Sequence, residues 1–381
     1  MASADRKPVA DDPTELWTQP TRGLMTRVLA LLLVGTLLSG CAKQLLSCPR
    51  MAKVPEPPAP TQRPAGVLFA TDRKPQSDPD PDLTFSSDLN FSDPRVSYGA
   101  RCKDPGSGNE AQCDEPAWLN QALPASLTKQ QFMDAIRAGN SDVLLFVHGF
   151  YFSFDESLEM AVRLTERTGL QAIPVAYSWP SLAKLSAYGS DYDRNEWAID
   201  HIQAFIADLV EAIPPGHVLH IVAHSMGNRA VLWALARLTL PQDRLGQLIM
   251  IAPDVDTEVF EDLVLRSGPF ARRTLYASTQ DLALRASGWL RSGTPRAGDA
   301  RKQFVVFKDM DTIDASPVKA GMIGHSLYDY SQLIFDDVGA TLRDKPISER
   351  NLTACTVKSI AGYNAEHGTS LPDTVYRLPG K

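Results

Sequence analysis

The stretch Val218-Leu-His-Ile-Val-Ala-His-Ser-Met-Gly-Asn-Arg-Ala-Val-Leu232 decides how this chain is read. Its first part, Val218–Ala223, is a short aliphatic run of the kind found in strands buried on both faces. From Met226 to about Leu238 the apolar residues recur at helical spacing. Between the two lies Ala223-His-Ser-Met-Gly227, the only [Gly/Ala]-x-Ser-x-Gly match in the sequence. Such a pentapeptide between a strand and a helix makes a tight turn that lifts the serine hydroxyl above the sheet. The turn brings strand and helix backbones together, so it needs small flanks, and Ala223 and Gly227 supply them. Ser225 is therefore the candidate nucleophile. The plainer reading is that Ser225 only caps the helix.

A serine hydroxyl needs an imidazole to remove its proton, and the imidazole needs a carboxylate to orient it. On a strand–turn–helix scaffold of this kind the chain order is Ser, acid, His. Of seven histidines, only His325 and His367 follow Ser225. His325 lies in Gly321-Met-Ile-Gly-His-Ser-Leu-Tyr328, after the last expected strand, and is preferred over His367 in the Gly-flanked tail. For the acid, Asp281 closes the turn Ser278-Thr-Gln-Asp281, with Asp254 and Asp256 as competitors after the preceding strand. An oxyanion needs two aimed N–H donors. Met226, directly after Ser225, offers one, and Phe150, in His148-Gly-Phe150, offers the other.

Working outward, strands and helices alternate. Expected strands are Val67–Thr71, Arg95–Tyr98, Val143–Val147, Ile173–Tyr177, Val218–Ala223, Gln247–Ile251, Arg273–Ala277 and Phe304–Phe307. Expected helices cover Asp155–Thr168, Glu196–Ile213 and Met226 to about Leu238. This alternation implies an α/β architecture, with a mostly parallel central sheet flanked by helices. Ligands of such sheets bind beyond the carboxyl ends of the strands, where all the candidate residues fall. Pro180–Asn195, with Tyr188 and Tyr192, reads as a cap over that edge.

The amino terminus has a different character. Val28–Leu38 is uncharged and apolar but too short to span a bilayer, which takes about 20 residues, and Arg22 and Arg27 precede it. That is the layout of a secretory signal. Leu38-Ser-Gly-Cys41 then resembles the lipobox of bacterial lipoproteins, which implies acylation of Cys41 and a membrane anchor. Ala42 in the next position points toward the outer membrane. Met1 and Met25 are both open as starts. The expected organisation is a signal at 1–40, an anchor and Pro-rich tether at 41–65, an N-terminal extension at 66–140, the main domain at 141–345 and a tail at 346–381.

Besides Cys41 the chain has Cys48, Cys102, Cys113 and Cys355, an even set suited to disulfides in an oxidising compartment. Cys102 and Cys113 flank a Gly-rich loop and are the expected pair. No CxxC occurs, so zinc or redox chemistry is not expected, and no metal or organic cofactor is implied. The net charge is −7, and without residues 1–40 it is unchanged, because that segment holds four basic and four acidic side chains. With no basic stripe, nucleic acid is not expected as a partner.

Taken in order, several motifs resemble a poorly characterised bacterial family of α/β-hydrolase-fold proteins catalogued as a domain of unknown function. They are Phe69-Ala-Thr-Asp-Arg73, Val147-His-Gly-Phe150, Tyr177-Ser-Trp-Pro180, Ala223-His-Ser-Met-Gly-Asn228, Ala252-Pro-Asp-Val-Asp256, Tyr276-Ala-Ser-Thr-Gln-Asp281 and Gly324-His-Ser326. The family usually has Asn after His-Gly-Phe, where this chain has Tyr151. The resemblance implies hydrolase chemistry and names no substrate. The leading expectation is a membrane-anchored serine hydrolase acting on a small or lipid acyl ester or thioester. The alternatives are a catalytically silent binding protein of the envelope, and a peptidase or amidase using the same residues. The sequence leaves the oligomeric state open.

Overall fold

The computed structural model describes residues 45–49, 65–76, 85–103, 126–318, 331–368, 370 and 372–379. They all belong to one compact unit, Leu45–Lys381. The expected signal at 1–40, Cys41, Cys113 and His325 lie outside the described residues.

In chain order the strands are β1 (Leu46–Ser47), β2 (Ala65–Thr71), β3 (Arg73–Pro75), β4 (Phe85–Leu89), β5 (Ser97–Lys103), β6 (Ser126–Leu127), β7 (Asp142–Val147) and β8 (Ala172–Ser178). They continue with β9 (Leu219–His224), β10 (Leu245–Ile251), β11 (Arg272–Ala277), β12 (Asp311–Asp314), β13 (Thr353–Val357) and β14 (Thr374–Arg377). The helices are α1 (Lys129–Gly139), α2 (Phe154–Thr168), α3 (Tyr188–Trp197), α4 (Ile199–Ala212), α5 (Gly227–Leu235), α6 (Thr257–Leu265), α7 (Leu282–Leu290), α8 (Gln332–Leu342) and α9 (Lys358–His367).

One twelve-stranded sheet has the order β1-β13-β14-β12-β11-β10-β9-β7-β8-β2-β5-β6, and β3 pairs with β4 apart from it. From β14 to β2 every neighbour runs parallel, and antiparallel strands close both edges. Alternation along the strands splits the core into two layers. Leu145, Val147 and Ile221 join one cluster with Phe132, Phe205 and Leu232 of α1, α4 and α5. Leu144, Phe146 and Val222 join the other with Leu158 and Phe335 of α2 and α8. A central strand that must bury both faces has to be apolar throughout, which is why these runs are legible.

Local signals set the helix ends. Ser153 caps α2 and Glu156 returns the bond to the Ser153 N–H, a reciprocal capping box. Gly169 then ends α2 in the left-handed region, at φ 64°.

Three expectations are corrected. The strand beyond β11 is Asp311–Asp314 and not Phe304–Phe307, whose Phe304 and Val305 are buried as irregular core. Asp314 and Asp311 look like loop residues until Arg377 and Arg350 are brought beside them. Residues 346–381 are no tail, because β13 and β14 widen the sheet beside β12. The segment 41–65 is not a free tether throughout. Leu46 and Ser47 pair with Val357 and Thr356, and Cys48 is bonded to Cys355. Cys102 is also disulfide-bonded, while its expected partner Cys113 lies outside the described residues.

Candidate active site

β9 ends at His224 and α5 begins at Gly227, so Ser225 and Met226 form the whole connection. Ser225 has φ 52°, a left-handed conformation that few non-glycine residues adopt. Several bonds hold it there. The Ser225 N–H donates to the Ile251 carbonyl at 2.9 Å, and the Ser225 carbonyl accepts from the Asp254 N–H at 3.1 Å. The Asn228 side-chain amide lies 3.1 Å from the same carbonyl and 3.2 Å from those of Ala223 and Ile251. A Cβ on Gly227 would collide with the His148 carbonyl oxygen and lie 2.7 Å from that of Val147. The small flank read from the sequence is thus a steric requirement of the β7 end.

The loop after β7 lies directly against the serine. A Cβ on Gly149 would stand 2.7 Å from the Ser225 Cβ, so only glycine lets the two backbones approach. Among the described residues neither the Phe150 nor the Met226 N–H has a backbone acceptor. His148 anchors the loop. Its ring stacks on Trp179 at 4.8 Å, and its two ring nitrogens lie 2.8 Å from the Gly149 carbonyl oxygen and 3.0 Å from that of Trp179. The Trp179 indole N–H returns a bond to the His148 carbonyl. Burial, and then the nearby Arg73 charge, push His148 down to about 3, so it is a neutral strut and no base near neutrality.

Sequence reasoning missed Arg73. Its fully buried guanidinium donates to the Ser178 hydroxyl, the Ser181 carbonyl and the Phe152 carbonyl at 3.0, 2.9 and 2.9 Å. It thereby ties the Phe150 loop to the end of β8. Burial lowers its pKa to about 10, which still leaves it charged. The motif Phe69–Arg73 was visible, but nothing in it says that its arginine spans to residues 79 to 108 positions away. Tyr151, in the same loop, has φ 69°. That explains why an asparagine, which tolerates this region, suits the position.

The two candidate acids have different surroundings. Asp254 is buried and saturated. It accepts from Tyr188 at 2.7 Å, from Ser287, and from Arg296 at 2.8 Å. Burial works against the Arg296 charge, but the Asp254 carboxylate outweighs it and raises the Arg296 pKa. Asp281 is also buried, caps α7 by accepting the Leu284 N–H at 2.8 Å, and has a further partner. The turn before it is joined to the chain leaving β12, because the Thr279 N–H donates to the Ser316 hydroxyl at 2.8 Å. That chain leads through Val318 into the segment that holds His325.

The other histidines fall elsewhere. His217 and His220 lie beside Asp142 at the start of β7, at the opposite edge of the sheet. His201 pairs with buried Asp72. His367 ends α9, whose connection leaves β13 and enters β14 at that same opposite edge. His224 packs beneath Gly149 and near Phe152. Tyr188 and Tyr192 lie on α3, in the expected cap segment, and Tyr188 packs on Phe150 with ring centroids 5.5 Å apart. Among the described residues no group of His, Cys, Asp and Glu is placed to hold a metal.

A family model described as an alpha/beta hydrolase of unknown function, DUF900, matches residues 125–340. No curated protein matches the chain. Similar solved structures include phospholipase PlaB from Legionella pneumophila, at 13% identity and TM-score 0.31, over 62% of this chain and 67% of that one. An inhibited esterase B from Lactobacillus rhamnosis is 10% identical with TM-score 0.34, over 85% and 98% of the two chains. The ester-hydrolase EH1AB1 from the metagenome of Lake Arreo is 12% identical with TM-score 0.29, over 90% and 98%.

Proposed function

The chain belongs to the DUF900 family of α/β-hydrolases of unknown function, and within that family we propose that it is a serine hydrolase cleaving a carboxylic ester or thioester through an acyl-Ser225 intermediate. The observation that carries this reading is Ser225 itself, held at φ 52° on the bend after β9 with the Gly149 backbone against it. In this scheme His325 takes the Ser225 proton as the hydroxyl oxygen attacks the acyl carbon. The Met226 and Phe150 N–H groups donate to the developing oxyanion. His325 then protonates the leaving alkoxide or thiolate as its bond to the acyl carbon breaks. Water repeats the cycle and frees the acid.

Asp281 is the proposed orienter of His325. Two observations support it over Asp254: the Asp254 oxygens are engaged by Arg296, Ser287 and Tyr188, and the Thr279–Ser316 bond joins the Asp281 turn to the chain leading to His325. Anchoring through an acylated Cys41 on the cell envelope is part of the same proposal. Its support is the lipobox resemblance and the disulfide bonding of Cys48, Cys355 and Cys102, which suits an oxidising compartment.

A fluorophosphonate probe tests the reading on purified protein. Wild type is expected to label covalently, and Ser225→Ala and His325→Ala are expected to lose labelling. Folded wild type that stays unlabelled would favour the silent binding protein. A panel of short and long acyl esters, thioesters and amides then separates esterase from amidase.

A further inference from the structure

Two guanidinium groups, one from α5 and one from the end of α7, lie against the phenol ring of Tyr192 on α3. Arg291, directly after α7, lies 3.3 Å from the Tyr192 ring centroid, and Arg229 of α5 lies 4.1 Å from it. The two like charges are therefore closer than the roughly 8 Å over which physiological salt screens them. Among the described residues only one has a counter-ion. Arg229 pairs with Glu196 through Nη2 at 3.0 Å, while Arg291 has no carboxylate within ion-pair distance among the described residues. Arg229 is only 9% exposed, and its Nη1 is buried with no hydrogen-bond partner among the described residues. A buried donor left unpaired beside an uncompensated cation is an arrangement that a bound anion would complete.

The position of the pair ties it to the reaction. Arg229 is one helical turn beyond Ser225. Arg291 also overlies Tyr188, whose ring packs on Phe150 and whose hydroxyl donates to Asp254, itself bonded through its N–H to the Ser225 carbonyl. Trp289 and Leu290, the last two residues of α7, are 66% and 69% exposed. Planar guanidinium groups suit phosphate and carboxylate oxygens, and exposed apolar side chains on the adjoining helix suit an alkyl chain. We propose that Arg291 and Arg229 form an anion subsite that binds a phosphate or carboxylate on an amphiphilic ester substrate. This rests on the serine-hydrolase reading for its role in turnover, though the subsite itself is independent of it.

The test uses unreactive ligands, so that binding is read apart from hydrolysis. Calorimetry on wild-type protein compares 1-O-hexylglycerol 3-phosphate with the phosphate-free 1-O-hexylglycerol, and with heptanoate as the carboxylate source. The phosphate ether is expected to bind at least about tenfold more tightly than the neutral one. Arg291→Gln should abolish that preference, and Arg291→Lys should keep part of it. A preference for phosphate alone assigns the anion to a phosphoryl group, and an equal one for heptanoate assigns a general anion site. Equal binding of charged and neutral ethers, or a preference that survives Arg291→Gln in protein of wild-type melting temperature, overturns the proposal. Fluorophosphonate labelling of the same samples separates the two readings. An unlabelled wild type that prefers the anion would sink the hydrolase and leave the subsite, and a labelled one without preference would do the reverse.

Discussion

Single atoms decide much around Ser225. Because a Cβ on Gly227 meets the carbonyl oxygens of Val147 and His148, Gly227→Ala must push α5 away from the end of β7. It is expected to cost about 1–3 kcal/mol, as overpacking does, and to weaken probe labelling, both readable from one urea titration with a labelling assay. Tyr151 shows the opposite case. Its φ of 69° is strained for an aromatic side chain, so Tyr151→Asn should raise stability by about 1 kcal/mol. A denaturation midpoint that fails to rise would count against that account. His148 makes a pH prediction. Its folded pKa of about 3 lies below the ordinary 6.5, so between these values the unfolded chain binds the extra proton. This group's contribution is therefore complete above pH 6.5 and is lost as the pH falls toward 3. The His148 ring resonances should stay those of a neutral imidazole down to pH 4, and a midpoint near 6.5 would refute it.

At the scale of elements, the parallel register of β7 to β12 brings successive strand ends to one edge, so the loops after them meet. The loops after β7, β10 and β11 are each held by a long-range polar contact. Arg73 is the strut for the Phe150 loop. Arg73→Leu leaves the Phe152 and Ser181 carbonyls and the Ser178 hydroxyl without their donor, at a cost of about 2–4 kcal/mol. With the Phe150 loop loosened, such a variant should, under the proposed mechanism, lose kcat more than it raises KM. The loops after β10 and β11 each hold one of the two candidate acids. Asp281→Asn is expected to lower kcat by roughly two to four orders of magnitude while the fold melts normally. Asp254→Asn instead leaves the buried Arg296 without its counter-ion and should destabilise by about 3–5 kcal/mol. If the two phenotypes came out exchanged, Asp254 would be the triad acid. None of these contacts could be read along the chain, because each joins segments far apart in sequence with no pattern of their own.

Over the whole molecule, the Cys48–Cys355 bond links positions 307 apart and fastens the short β1 to β13. Opening so long a loop is expected to cost about 2–5 kcal/mol. A Cys48→Ser/Cys355→Ser protein should melt lower than wild type, and a reductant should add little to that loss beyond what it does through Cys102. The central sheet, the helices on its two faces and the bend at Ser225 are legible along the chain alone. These are written in local signals: apolar runs four to seven residues long, helical spacing, capping boxes, and small residues around one serine. The outer strands β12, β13 and β14, the role of Arg73, the engagement of Asp254 and the pairing of Arg291 with Arg229 were decided only by tertiary structure. Polar residues such as Asp311, Asp314 and Arg296 carry no periodic signal, and their conformations become favourable only when folding brings a partner of opposite charge or an unpaired strand edge beside them.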